Sequence, residues 1–290
     1  MTRETASEPR PTQPEHERTT GARPEGTSTE QAAAANVQHM FDAIAPTYDR
    51  ANHTLSAGID RYWWARASRV FRPILQRPEA VALDLCCGTG DMTLALLKHR
   101  PKAPPNRVPH LREGLIIAKM GEAPQNSAIA PILAPILAID FSHQMLSRGA
   151  EKFAPHNIVS IEADALHLPL ADASVDLVTS AFGFRNLANY EHGLAELHRI
   201  LRPGGQIGIL DCNQPDGLIG ALYNLYFKKI LPKLGSLISG DAEAYTYLPA
   251  SVERFPRPPR MLQLITAAGF TNATWTSYTF GTAGLYHATK

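Results

Sequence analysis

The chain has 290 residues, with 28 Lys and Arg against 27 Asp and Glu, 44% hydrophobic residues and three cysteines. That length suits one large domain or two small ones, and the apolar fraction excludes a wholly disordered or fibrous chain. A net charge of +1 argues against a strongly basic nucleic-acid binder, and three cysteines, two of them adjacent, cannot form a disulfide framework.

Residues 1–30 hold four prolines and ten charges with almost nothing large and apolar. Such a segment cannot bury enough surface to offset its ordering entropy. A disordered tail over 1–35 is therefore expected, followed by one domain over 36–290. The polar start has no apolar run behind it, so no signal peptide is expected. From Asn36 the sequence VQHMFDAIAPTYDRANHTLSAGIDRYWWARASRVF predicts helices with a break at Ala45-Pro46.

VALDLCCGTGD at 81–91 reads as a buried strand, a glycine loop and the start of a helix. Further strands are predicted in ILAID, IVSIE, VDLVTS and QIGILD. Before the last lies a helix carrying Leu194, Leu197, Ile200 and Leu201, with Pro203-Gly204-Gly205 as its stop. This alternation implies an α/β fold with a doubly wound, mostly parallel sheet. After a helix at 261–268, two β-rich stretches split near Gly281 predict a closing antiparallel hairpin.

Between Gly90 and Asp140 lie 50 positions, where a compact unit needs about 20. The Pro-rich excess at about 100–135 reads as a surface insertion. Its apolar end at 128–139 is broken by Pro131 and Pro135, and a membrane span needs about 20 apolar residues.

Candidate ligand groups fall at the carboxyl ends of the strands, where open α/β sheets bind. Gly88, Thr89 and Gly90 allow backbone amides close approach, with a tight structural turn as the alternative. Asp140 can accept from both hydroxyls of a ribose, or cap a helix with Ser142. Asp164 and the amide of Ala165 suit an adenine edge, and a plain turn is the alternative for Asp164. The missing third glycine of G-x-G-x-x-G speaks against a dinucleotide. The histidines show no metal-ligand spacing and Cys86-Cys87 is not C-x-x-C, so no zinc site is expected.

LDLCCGTGD, AIDFSHQML, ADALHLPLADASVDLVTSAFGFRN and HRILRPGGQIGILD resemble successive motifs of S-adenosylmethionine-dependent methyltransferases. With YDRANHTLSAGIDRYW and AFGFRN, the chain resembles the demethylmenaquinone/ubiquinone C-methyltransferases over about 37–98 and 136–290. The resemblance implies a Rossmann-like seven-stranded sheet with an N-terminal helical cover. It implies S-adenosylmethionine as cofactor, touched by Thr89, Asp140, Asp164 and Ala165. The implied reaction is C-methylation of demethylmenaquinol, with a ubiquinone-precursor benzoquinol or another small acceptor as alternatives. The chain departs from the family at Asp60, where many members carry His, at Asp211, where Glu is usual, and at Ala181, where Ser occurs in some.

Methyl transfer to a ring carbon needs in-line positioning and gains from stabilised phenolate charge. Arg185 is the candidate for that charge, with a structural ion pair as the alternative. Asn186 is a candidate to orient the ring hydroxyl. Tyr48 and Asp49 are candidate bases for the ring proton. GLIGALYNLYFKKILPKLGSLI at 217–238 suits either a core helix or an apolar helix at an anionic membrane surface. The expected setting is cytoplasmic, with an isoprenoid quinol as partner, no nucleic acid, and room for a peripheral contact at the inner face of the cell membrane and for a homo-oligomer.

Overall fold

In a computed structural model of the chain, the structure describes residues 20–101, 133–226 and 242–290. The helical cover comprises α1 (Glu30–Ile44), α2 (Tyr48–Leu55), α3 (Ile59–Val70) and the single turn α4 (Arg72–Leu75). There follow β1 (Ala82–Leu85), α5 (Asp91–Leu97), β2 (Ile136–Asp140), α6 (His143–Phe153), β3 (Ile158–Glu162) and β4 (Val175–Ala181). The chain then runs through α7 (Tyr190–Ile200), β5 (Leu201–Cys212), α8 (Gly217–Leu225), α9 (Ala242–Arg254), α10 (Pro258–Ala267), β6 (Thr271–Tyr278) and β7 (Ala283–Thr289).

The seven strands lie in the order β3-β2-β1-β4-β5-β7-β6. The first five are parallel, and β7 runs antiparallel between β5 and β6. This is the mostly parallel, doubly wound sheet with a closing hairpin that the alternation of elements predicts. Strand order reverses between β1 and β4, so the carboxyl ends of those two strands flank a crevice. Every residue of β1 is buried, as a strand covered on both faces requires.

Two expectations change. Residues 20–35, assigned by composition to the tail, are placed. The amide of Ala22 donates to Leu187 O at 2.7 Å, Tyr190 N donates to Thr20 O at 2.8 Å, and α1 already begins at Glu30, capped by Thr29. Hydrogen bonds to the body and the burial of small residues, Ala22 and Ala33, hold this arm, and neither shows in a composition that lacks large apolar side chains. Pro203-Gly204-Gly205 is not a gap between helix and strand. Leu201 already pairs with Val175 and Gln206 with Leu177, so the intervening residues bulge out within β5, with Gly204 at φ +79. A positive-φ glycine serves a bulge as readily as a helix stop.

The insertion at 100–135 lies mostly outside the described residues, as do 1–19 of the tail and 227–241 of the apolar segment. Met40, Ile44, Ala45 and Ala51 of the cover pack on Met145 of α6, joined by Tyr226 and by Tyr247 and Leu248 of α9. The cover thereby roofs the crevice. Among the described residues, no helix is long and apolar enough to cross a membrane.

Candidate active site

Beyond β1 the chain turns sharply. Cys86, Gly88 and Gly90 adopt positive φ of +53, +56 and +92. A Cβ on Gly90 would lie 2.2 Å from the Phe153 ring, so only glycine lets α6 close on this turn. A Cβ on Gly88 would meet only Tyr48 Cε1, at 3.9 Å, and would stand in open space between two cavities.

The smaller cavity holds about 100 Å³ and is lined by Gly88, Asp140, Phe141, Asp164, Ala165 and Asn186, among others. Asp140 accepts from Gly88 N and Ser142 N, each at 2.8 Å, one bond to each oxygen. Each oxygen keeps a second lone pair for a ligand hydroxyl. Burial raises the Asp140 pKa, and those two amides with Phe141 N oppose the rise. Asp164 accepts from Leu166 N at 2.9 Å. The structure thus brings Gly88, Asp140, Asp164 and Ala165 around one space. Thr89 instead lines the larger cavity, and Gly90 shapes the turn against Phe153.

The larger cavity holds about 280 Å³, with walls from α2, α3, α8, α9 and the β6–β7 corner. Trp63, Trp64, Leu55, Tyr223 and Tyr226 make it aromatic and apolar, and Asp60, Asp91 and Arg185 bring charge into it. Tyr48, Cys86, Gly88, Ala181 and Phe182 line both cavities. The two spaces therefore meet above the glycine turn.

Arg185 is buried and held through its Nη1, Nε and backbone amide. Its Nη1 donates to Asp211 Oδ1 at 2.9 Å and to Phe182 O, its Nε donates to Ser251 Oγ at 3.4 Å, and its amide donates to Asp211 Oδ2 at 3.0 Å. Burial works against the guanidinium charge, and Asp211 outweighs it and holds the pKa above the ordinary value. Arg185 is thus both a cavity wall and half of a buried ion pair. Asn186 turns to the smaller cavity, where its Oδ1 accepts from Tyr247 OH at 3.1 Å.

The two expected bases differ in their placement. Burial pushes the Tyr48 phenol up to about 12, with Arg185 pulling it back, so at neutral pH it is a donor rather than a base. Asp49 lines neither cavity. It binds Lys152 Nζ at 2.7 Å and accepts from Thr89 Oγ1, bracing the loop from outside. Burial opposes its charge, but Lys152 and Thr89 hold the carboxyl below its usual range.

Two further carboxylates, Asp60 and Asp91, line the larger cavity. Asp60 Oδ2 lies 2.7 Å from His53 Nδ1, and His53 Nε2 lies 3.9 Å from Asp91 Oδ2. Burial raises the Asp91 pKa against the pull of Lys152. The only sequence signal was the Asp60 departure, because His53 and Asp91 meet through the packing of α2, α3 and α5. Asp84, in the floor, is fully buried and accepts from Thr93 Oγ1 at 2.6 Å and Thr179 Oγ1 at 2.9 Å, and burial pushes its pKa up to about 7. Among the described residues, no cluster suits a metal ion.

Residues 28–290 match the model of the ubiE/COQ5 methyltransferase family. The chain belongs to this family. A demethylmenaquinone methyltransferase of Deinococcus radiodurans is 40% identical over 258 residues, covering 88% of this chain and 92% of that one. One of Thermus thermophilus is 40% identical over 250 residues, covering 85% and 98%. Among solved structures, a methyltransferase of Thermotoga maritima described as a possible histamine N-methyltransferase superposes with a TM-score of 0.55 at 15% identity, covering 88% of this chain and 99% of that one. The [4+2]-cyclase SpnF gives 0.58 at 14%, covering 94% and 99%. These last two share the fold, and the different reactions in their names show how little the fold alone says of the chemistry. This family member is a methyltransferase.

Proposed function

We propose that the chain transfers a methyl group from S-adenosylmethionine to the ring carbon of demethylmenaquinol, the last step of menaquinone synthesis. The observation that carries this reading is the pair of cavities meeting above Gly88. One has a carboxylate set for vicinal hydroxyls, and the other is an aromatic chamber sized for a fused ring. The names of the relatives supply the naphthoquinone class.

S-adenosylmethionine supplies an electrophilic methyl on a sulfonium. Asp140 would hold its ribose hydroxyls, while Asp164 and the Ala165 amide would read its adenine edge. The open face of Gly88 is the cradle that a Cβ would fill. On the acceptor side, Trp63 and Trp64 would flank the ring. Tyr48, a neutral donor between the two cavities, would hydrogen-bond the phenolate oxygen, favouring the ionised ring before attack and again as the ring proton leaves. Arg185, tied to Asp211, would keep that donor in place and lend part of its charge. The ring proton would leave to Asp91, and its C–H electron pair would restore aromaticity. His53, between Asp91 and Asp60, would carry the proton onward.

The test is a methyl-transfer assay offering reduced demethylmenaquinol and a demethylated ubiquinol precursor side by side, with mass spectrometry locating the new methyl. Turnover of the naphthoquinol is expected. Turnover of the benzoquinol alone would overturn the substrate assignment. Asp91→Asn is expected to lower turnover by roughly 10²-fold, in the range for a lost general base, with cofactor affinity retained.

A further inference from the structure

Helix α3 has two unlike sides. Asp60, Ala67 and Ser68 are buried, and Trp63 and Trp64 line the acceptor cavity. The outward arc carries Arg61, Tyr62, Ala65, Arg66, Arg69 and Val70, all exposed, with Arg72 just beyond and no carboxylate among them. In a chain of net charge +1 this face is locally cationic. Lys98 adds to it: Arg72, Arg69 and Lys98 all act on His99, whose pKa is lowered first by burial and then by those three cations.

The cationic face is joined to an apolar rim. Arg66 Nη1 donates to Tyr62 OH at 3.1 Å, and its guanidinium lies 4.5 Å from the centre of the Tyr278 ring. Trp63 Nε1 donates to Thr279 Oγ1 at 2.8 Å, fastening α3 to the β6–β7 corner. At that corner Phe280 is 79% exposed at φ +57, between Thr279 and Thr282, which line the acceptor cavity. Ile59 is both a cavity wall and 37% exposed. A Cβ on Gly281 would lie 3.8 Å from Pro215, so the corner adjoins the start of α8, where Leu218 is 78% exposed. Exposed apolar side chains thus stand on the elements that wall the cavity, beside a row of arginines.

We infer that this rim and the outer face of α3 dock on an anionic lipid surface, so that the acceptor enters the cavity from the bilayer. The inference rests on the proposed quinol substrate, whose isoprenoid tail keeps it in membranes. Arginines without carboxylates match anionic headgroups, and Phe280, Tyr62 and Leu218 match the headgroup–acyl boundary. An acidic polynucleotide would engage the arginines but leave Phe280 and Leu218 without a partner.

The test is co-sedimentation of the full chain with vesicles of mixed phosphatidylglycerol and phosphatidylcholine, and with phosphatidylcholine alone. Binding to the mixed vesicles that weakens with salt is expected. Arg61→Gln with Arg69→Gln should lower the partition coefficient on the order of 25-fold, from about fivefold per cation. Phe280→Ser should lower it about tenfold, with little dependence on salt. Both variants should turn over a short-tailed, water-soluble naphthoquinol at the parent rate and lose rate on the long-tailed quinol in vesicles. Equal binding to neutral vesicles, unchanged binding by the variants, or retention by a polynucleotide without vesicle binding would overturn the docking surface. Failure of the parent chain to turn over even the short-tailed quinol would instead overturn the substrate reading.

Discussion

Around the smaller cavity the polar groups come from short loops at the carboxyl ends of β1, β2 and β3, and Asp140 is held there by two backbone amides. The walls of the larger cavity are side chains from α2, α3, α8, α9 and the β6–β7 corner, brought together from across the chain. The first site is an outcome of topology, because any sheet that reverses its strand order leaves such loops side by side. The second depends on how helices pack above the sheet. The smaller cavity is accordingly lined by short runs of residues at strand ends, and the larger one by single side chains from packed helices and a hairpin corner.

Replacements should separate these two modes. The largest effect is expected for Arg185→Ala, which leaves Asp211 buried without its partner. About 3–5 kcal/mol of stability should be lost, read as a drop in the urea midpoint. Replacing Arg185 and Asp211 together by apolar residues should recover part of it, and recovery of none would mean that the pair does not account for the loss. Asp140→Ala acts on the other cavity. Two charge-assisted hydrogen bonds to the ribose are worth about 3 kcal/mol together, so S-adenosylmethionine affinity measured by calorimetry should fall by roughly 10²-fold. A loss of quinol affinity alone would break the division between the cavities.

In the floor of the larger cavity, Asp84 gives a pH effect. Its folded pKa of about 7 lies above the ordinary 3.8, so the folded state holds the proton more tightly. Stability contributed by this group is therefore full below about pH 4 and falls as pH rises towards 7. Asp84→Asn should flatten that decline in thermal melts across the same window. The smallest effect is expected for Asp49→Asn. Its lowered pKa makes its contribution present above the usual carboxylate range and lost on acidification through the folded pKa. Because the Asp49–Lys152 pair is about one-third exposed, the loss at neutral pH should be under about 1 kcal/mol.

The same division explains what the sequence disclosed. ILAID and IVSIE match β2 and β3 residue for residue, because both are short apolar runs whose ends the loops mark, although β2 is largely buried and β3, at the sheet edge, only partly. Gly88, Asp140, Asp164 and Ala165 were legible for the same reason. The Arg185 ion pair was foreseeable only as an alternative, since its partner lies 26 residues away on β5. Tyr48 and Asp49 were both candidate bases, yet helical geometry turns adjacent residues about 100° apart, sending Asp49 to Lys152 and Tyr48 to the cavities. His53 and Asp91 gave no local sign at all.

The placement of the tryptophans has an optical consequence. Of the three in the chain, Trp63 and Trp64 line the larger cavity, proposed to take the acceptor, and Trp275 lies on β6 at the far edge of the sheet. Oxidised quinones quench indole emission on contact. Most of the intrinsic fluorescence should therefore report directly on filling of the acceptor cavity, with Trp275 as a built-in reference that the ligand does not reach.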